Sequence, residues 1–134
     1  MLYNIRTGYG GVEQRTNDEI IILVSSLPRL IEMELPFVFT DRHAYLNYAN
    51  FYSDLSEVDK VDWARLTARD FRRDVDDPEK IERYQAEALV YWHVPVAGLL
   101  GVACQSATVK SELEAEIGPD NPLPVRVRSS WFFT

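Results

Sequence analysis

The run Ile20-Ile21-Ile22-Leu23-Val24 most restricts how this chain can fold. A β-branched apolar stretch of this length suits a buried strand and is too short for a helix of its own. Directly after it, Ser25-Ser26-Leu27-Pro28 reads as a helix start. A serine oxygen can satisfy the unpaired N–H groups of a first turn, and proline is tolerated there because its missing N–H would have had no partner. Leu27, Leu30 and Ile31 continue at helical spacing, which predicts a short helix ending before Pro36. Pro36-Phe37-Val38-Phe39-Thr40 then reads as a second strand.

Further along, Asp41 is placed to cap a helix in which Ala44, Tyr45, Tyr48, Ala49, Tyr52 and Leu55 recur at three- and four-residue steps. A second short helix is expected over 61–71, a polar loop over 74–79, and strands over 86–94 and 99–104. Ser106 starts a final helix carrying Val109, Leu113 and Ile117, and Gly118 ends it. Val125-Arg126-Val127-Arg128 alternates apolar and basic residues, and Trp131-Phe132-Phe133 is expected to bury the end of the chain. Gly8-Tyr9-Gly10-Gly11 reads as a turn. Strands and short helices interleave without regular βαβ spacing, so the class is α+β with a mostly central sheet, in a single domain over 1–134.

Composition enters where it excludes functions. The lone Cys104 leaves no internal disulfide and no Cys/His cluster for zinc, which fits a reducing cytoplasm. No apolar run approaches a membrane span, and the N-terminus lacks the basic start and apolar segment of a signal peptide. A net charge of −7 argues against a protein that coats DNA, because such affinity comes from Lys and Arg neutralising phosphates. Capture of a few nucleotides in a local groove stays open. There is no GxGxxG, P-loop or GxSxG motif, and neither His43 nor His93 has metal-ligand spacing. No metal is expected.

The informative piece is Gln85-Ala86-Glu87-Ala88-Leu89-Val90. In a strand, Gln85, Glu87 and Leu89 share one face, so a carboxylate interrupts an otherwise apolar segment. Burying it is costly unless something pairs with it or uses it. One reading is an edge strand with Glu87 in water or in an ion pair with an arginine; the other is a reactive carboxylate. Tyr45, Tyr48, Phe51 and Tyr52 offer stacking surfaces for bases, or simply a core. His43 offers a hydrogen bond. Arg65, Arg69, Arg72, Arg73, Lys80 and Arg83 are candidates for phosphate contacts, although the interleaved Asp62, Asp70, Asp74, Asp76, Asp77, Glu79 and Glu82 suit a solvated mixed face equally well.

Several blocks together resemble the DarT family of DNA ADP-ribosyltransferase toxins. They are Met1-Leu2-Tyr3, the stretch from Leu35-Pro36-Phe37-Val38-Phe39-Thr40 through Asp41-Arg42-His43-Ala44, and the stretch from Phe51-Tyr52-Ser53-Asp54-Leu55 to Asp62-Trp63. Asp77-Pro78-Glu79-Lys80, Gln85-Ala86-Glu87-Ala88-Leu89-Val90, and Val125-Arg126-Val127-Arg128 with Trp131-Phe132 complete the set. The resemblance implies an ADP-ribosyltransferase-like fold with a mostly antiparallel split sheet flanked by short helices. It implies transfer of ADP-ribose from NAD to thymine or guanine in single-stranded DNA, and a macrodomain antitoxin as partner. Glu87 takes the catalytic role, Leu2 and Tyr3 line the NAD end, and His43, Tyr48, Tyr52 and Arg83 hold the acceptor. It further implies that the family's first strand, with an NAD-binding histidine, lies upstream of residue 1, so that these residues form the C-terminal portion of the domain. The alternatives are an inactive remnant that binds single-stranded DNA or an antitoxin, and a transferase acting on RNA or protein.

Overall fold

The apolar run at 20–24 forms β1 (Ile22–Val24), and the segment behind it folds as α2 (Leu27–Glu32), whose first turn is capped by Ser26 Oγ accepting from Arg29 N–H at 3.2 Å. The computed structural model describes residues 2–133. By compactness it divides into two units, Met1–Arg29 with Pro95–Thr134, and Leu30–Val94.

The first unit opens with α1 (Leu2–Thr7), which the apolar spacing did not announce. The glycine turn follows as expected, with Gly8, Gly10 and Gly11 all at positive φ. The unit's sheet has the order β1, β5 (Gly101–Cys104), β6 (Val125–Val127), antiparallel between β1 and β5 and parallel between β5 and β6. Every residue of the central strand β5 is buried. Gly101 is required there because a Cβ would lie 2.8 Å from the Pro124 carbonyl oxygen. Between β5 and β6 runs α5 (Ala107–Ile117), capped by Ser106 Oγ on Val109 N–H and ended by Gly118 at φ 77°. Val102, Cys104, Val109 and Val125 form the core, with Leu113, Leu123 and Val127 packed on it. At the chain end Phe132 is buried, whereas Trp131 is exposed, contrary to the expectation that it would be covered.

The second unit centres on β2 (Phe37–Thr40), flanked antiparallel by β3 (Phe51–Tyr52) and β4 (Ala88–Val90). The helix expected from Asp41 to Leu55 does not form. Residues 41–50 are an irregular loop, and the side chain of Asp41 accepts from Asn50 instead of capping a turn. The aromatic spacing there was coincidental: Tyr45 and Tyr48 are exposed, and Tyr52 belongs to a strand. α3 (Trp63–Ala68) is shorter than expected and is capped by Asp62 on Arg65 N–H. The loop expected over 74–79 leads into α4 (Lys80–Arg83). The strand expected over 86–94 is cut short where Trp92 takes a left-handed φ of 70°. The class is α+β, with one three-stranded sheet in each unit and, among the described residues, all strand pairings but one antiparallel.

Candidate active site

Glu87 sits one residue ahead of β4, where Thr40 at the end of β2 clamps its backbone. Thr40 N–H donates to the Glu87 carbonyl at 2.9 Å, and Glu87 N–H donates to the Thr40 hydroxyl at 3.1 Å. The hydroxyl proton is directed back to the same carbonyl at 3.3 Å. Thr40 is fully buried, so water does not compete for this clamp.

The loop after Thr40 delivers the partners of the carboxylate. Its base is closed by Asp41, which accepts from Asn50 N–H at 3.0 Å and Asn50 Nδ2 at 2.9 Å. Burial pushes the Asp41 carboxyl up, but the Asn50 bonds and the neighbouring Arg42 more than offset it, leaving the group below its ordinary range. Two turns, Leu46 N–H to His43 O and Ala49 N–H to Leu46 O, shape the interior. As a result, Ala44 N–H donates to Glu87 Oε1 at 2.9 Å, and His43 Nδ1 lies 2.9 Å from the same oxygen. A ring nitrogen facing a carboxylate is assigned the proton, which leaves Nε2 as an acceptor in the neutral ring. The Ala44 bond is the main cause holding the Glu87 carboxyl below its ordinary value; burial opposes it and His43 adds to it.

This geometry bears on both readings of Glu87. The carboxylate is neither free in water nor paired with an arginine. With its side chain 36% exposed, it is gripped at one oxygen, while Oε2 takes no hydrogen bond among the described residues. A carboxylate that is ionised, oriented and half open can stabilise positive charge developing on a sugar and accept a proton.

The other candidates separate. Tyr52 stacks on Phe39 with ring centroids 5.5 Å apart. The hydroxyl of Tyr48 is occupied by Glu82, 2.8 Å from both carboxylate oxygens. Arg83, expected on a phosphate, is committed to carboxylates: its Nε donates to Asp62 at 3.0 Å and its Nη2 to Asp77, which Arg65 also pairs at 3.2 Å. Lys80 is only 3% exposed and donates to Asp70 at 2.9 Å, so it is a buried brace and not a surface cation. The interleaved acids take up these cations, at sequence separations from 6 to 21 residues. Leu2 and Tyr3 lie in the first unit, on α1, where the Tyr3 ring meets Phe133 edge-on at 5.8 Å.

Inspection of the sequence missed Thr40, the Ala44 N–H, Glu82 and the Asp41–Asn50 closure. Only Thr40-Asp41, a polar pair ending an apolar strand, carried a local signal. Among the described residues no group of three His, Cys, Asp or Glu is arranged to hold a metal, and no helix is long and apolar enough to cross a membrane.

The family model described as "ssDNA thymidine ADP-ribosyltransferase, DarT" matches residues 1–133, across both units. A DNA ADP-ribosyl transferase from Escherichia coli is 50% identical over 135 residues, which is all of this chain and 62% of that protein. One from Thermus sp. 2.9 is 36% identical, covering 99% of this chain and 63% of its own length. The chain therefore spans a little over three-fifths of these curated relatives. The solved structure of Thermus sp. 2.9 DarT in complex with ADP-ribosylated ssDNA superposes with a TM-score of 0.84 at 35% identity, covering 98% of this chain and 63% of that one. The same protein in complex with NAD+ gives 0.81.

Proposed function

Since the chain belongs to the DarT family, we propose that it carries the acceptor half of a reaction that moves ADP-ribose from NAD to a base of single-stranded DNA, with Glu87 as the catalytic residue. The observation that carries this reading is the Glu87 carboxylate held at one oxygen by Ala44 N–H and His43, with the other oxygen open. Family membership and the Thermus sp. 2.9 complexes with NAD+ and ADP-ribosylated ssDNA support the substrates. The family description, ssDNA thymidine, favours thymine over guanine.

The bond between ribose C1′ and the nicotinamide nitrogen breaks, and nicotinamide leaves with the electron pair. The positive charge spreads over C1′ and the ring oxygen, where the Glu87 carboxylate stabilises it. A base nitrogen attacks C1′, and its proton passes to Glu87 Oε2. His43 and Ala44 hold Oε1 throughout, so the carboxylate does not have to reorient as charge moves. Tyr45, 89% exposed and tilted against His43 at 6.4 Å, offers the incoming base a stacking face, with His43 Nε2 beside it as an acceptor. Tyr52 backs the acceptor region. Arg83 serves the acceptor by fixing Asp62 and Asp77 in place of touching a phosphate. By the family likeness, Leu2 and Tyr3 are assigned to NAD, and 1–134 is read as one domain. In the cell the reading is a cytoplasmic toxin countered by a macrodomain antitoxin, on the strength of the family likeness.

The test is to incubate the 134-residue chain with labelled NAD and a mixed-sequence single-stranded oligonucleotide. Label on the DNA is expected, falling about 10²- to 10⁴-fold in Glu87→Gln with the melting temperature unchanged. DNA binding without label, under conditions where a full-length relative labels, would instead identify a binding remnant. Label on RNA or protein alone would redirect the acceptor.

A further inference from the structure

Loop 41–50 has no helix or strand of its own, so its shape depends on a few side-chain bonds. Glu82, on α4, holds it at two points. Its main-chain carbonyl accepts from His43 N–H at 3.3 Å, and its carboxylate takes the Tyr48 hydroxyl at 2.8 Å to each oxygen. The two groups that grip Glu87, the His43 ring and the Ala44 N–H, lie in the segment between those points. The Tyr48 ring is itself backed by the Arg42 guanidinium, 5.3 Å from its centroid, and Arg42 donates to Glu79 at 3.1 Å, next to α4. One short helix and its flank thus fasten the loop on both sides of the reactive segment, and five residues after Glu82 the same strand of chain reaches Glu87.

We propose that Tyr48 and Glu82 form a latch that sets the loop conformation in which His43 and Ala44 engage Glu87, making both of them positioning residues for the reaction. This rests on the reading of Glu87 given above. A phenol on an ionised carboxylate makes a charge-assisted hydrogen bond, stronger than a neutral one. Glu82 pushes the Tyr48 phenol above its ordinary value, chiefly through that bond, so the hydroxyl keeps its proton and stays a donor at neutral pH. Arg42, 3.9 Å from Glu82 and beside Asp41, balances the charge of the acids around the latch. With the Glu82 side chain 29% exposed, the latch is reachable by water.

Tyr48→Phe removes the single hydroxyl and keeps the ring under Arg42. The Ala44 amide, followed by NMR, reports whether Glu87 is still held, because an N–H bonded to a carboxylate is shifted and protected from exchange. In Tyr48→Phe its signal is expected to move away from the bonded position, with exchange about three- to tenfold faster. Transfer to the oligonucleotide falls by a similar factor in kcat, with KM for NAD unchanged. Glu82→Gln gives part of the effect, and adding it to Tyr48→Phe changes little further, because both act on the same bond. An unmoved Ala44 signal in Tyr48→Phe overturns the latch, whether or not melting temperature drops, as do independent, additive effects of the two substitutions. Failure of the catalytic reading is separable: a parent chain that never labels DNA, yet whose Ala44 amide responds to Tyr48→Phe, loses the transferase assignment and keeps the latch.

Discussion

The two units solve the problem of holding a small sheet in different ways. Around β5 the work is done by apolar packing, with Val102, Cys104, Val109 and Val125 in contact and α5 laid over them. The ion pairs of that unit, such as Arg15 with Glu13 and Lys110 with Glu114, are exposed and contribute little. Around β2 the apolar core is thin, and polar staples take over: Thr40 with Glu87, Asp41 with Asn50, Lys80 with Asp70, Arg83 with Asp62 and Asp77, Tyr48 with Glu82. Apolar packing is non-directional and tolerates exchange of one hydrocarbon for another. Hydrogen-bonded staples fix direction, and direction is what the grip of His43 and Ala44 on the Glu87 carboxylate needs. The irregular, stapled unit is the one that carries Glu87.

The contrast can be broken by substitution. Phe132→Ala, in the first unit, removes a buried ring and is expected to cost about 3–5 kcal/mol, read as a lower urea midpoint. Thr40→Val keeps volume in the second unit but strands the Glu87 N–H, and is expected to cost about 1–3 kcal/mol. Unlike Phe132→Ala, it should also shift the Ala44 amide. If Thr40→Val proved the costlier change, or left Ala44 unmoved, the division between packed and stapled units would be wrong.

The smallest effect is acid sensitivity. Glu87, Asp41 and Asp77 have folded-state values lowered from the ordinary 4.5 for Glu and 3.8 for Asp. A carboxyl lowered by folding adds stability that is fully present above its ordinary value and is lost as pH falls through the lower folded one. As pH falls below these ordinary values, the amides of Ala44 and Asn50 should therefore lose exchange protection before that of Val102. Because these groups are partly open to water, the difference is modest. Equal loss in both units would remove this electrostatic distinction.

The same contrast explains what could be read from the sequence. β1, α2, β2, β5 and α5 announced themselves through β-branched runs, caps at Ser26 and Ser106, and a terminating Gly118. These are local signals of local causes. The loop 41–50 was misread because aromatics at three- and four-residue steps mimic a helix, while side-chain bonds such as that of Asp41 with Asn50 shape it instead. Lys80 and Arg83 looked like surface cations because their acids, Asp70, Asp62 and Asp77, are brought to them only by folding.

By itself the sequence determined the alternation of strands and short helices, the family, and the position of a carboxylate in an apolar setting, since each is written in neighbouring residues. Tertiary structure alone decided that His43 and Ala44 close on Oε1 of that carboxylate, that Thr40 anchors its backbone, and that Tyr48 binds Glu82. Each of these contacts joins residues more than thirty positions apart, and a directional hydrogen bond across such a span leaves no periodic trace in the chain.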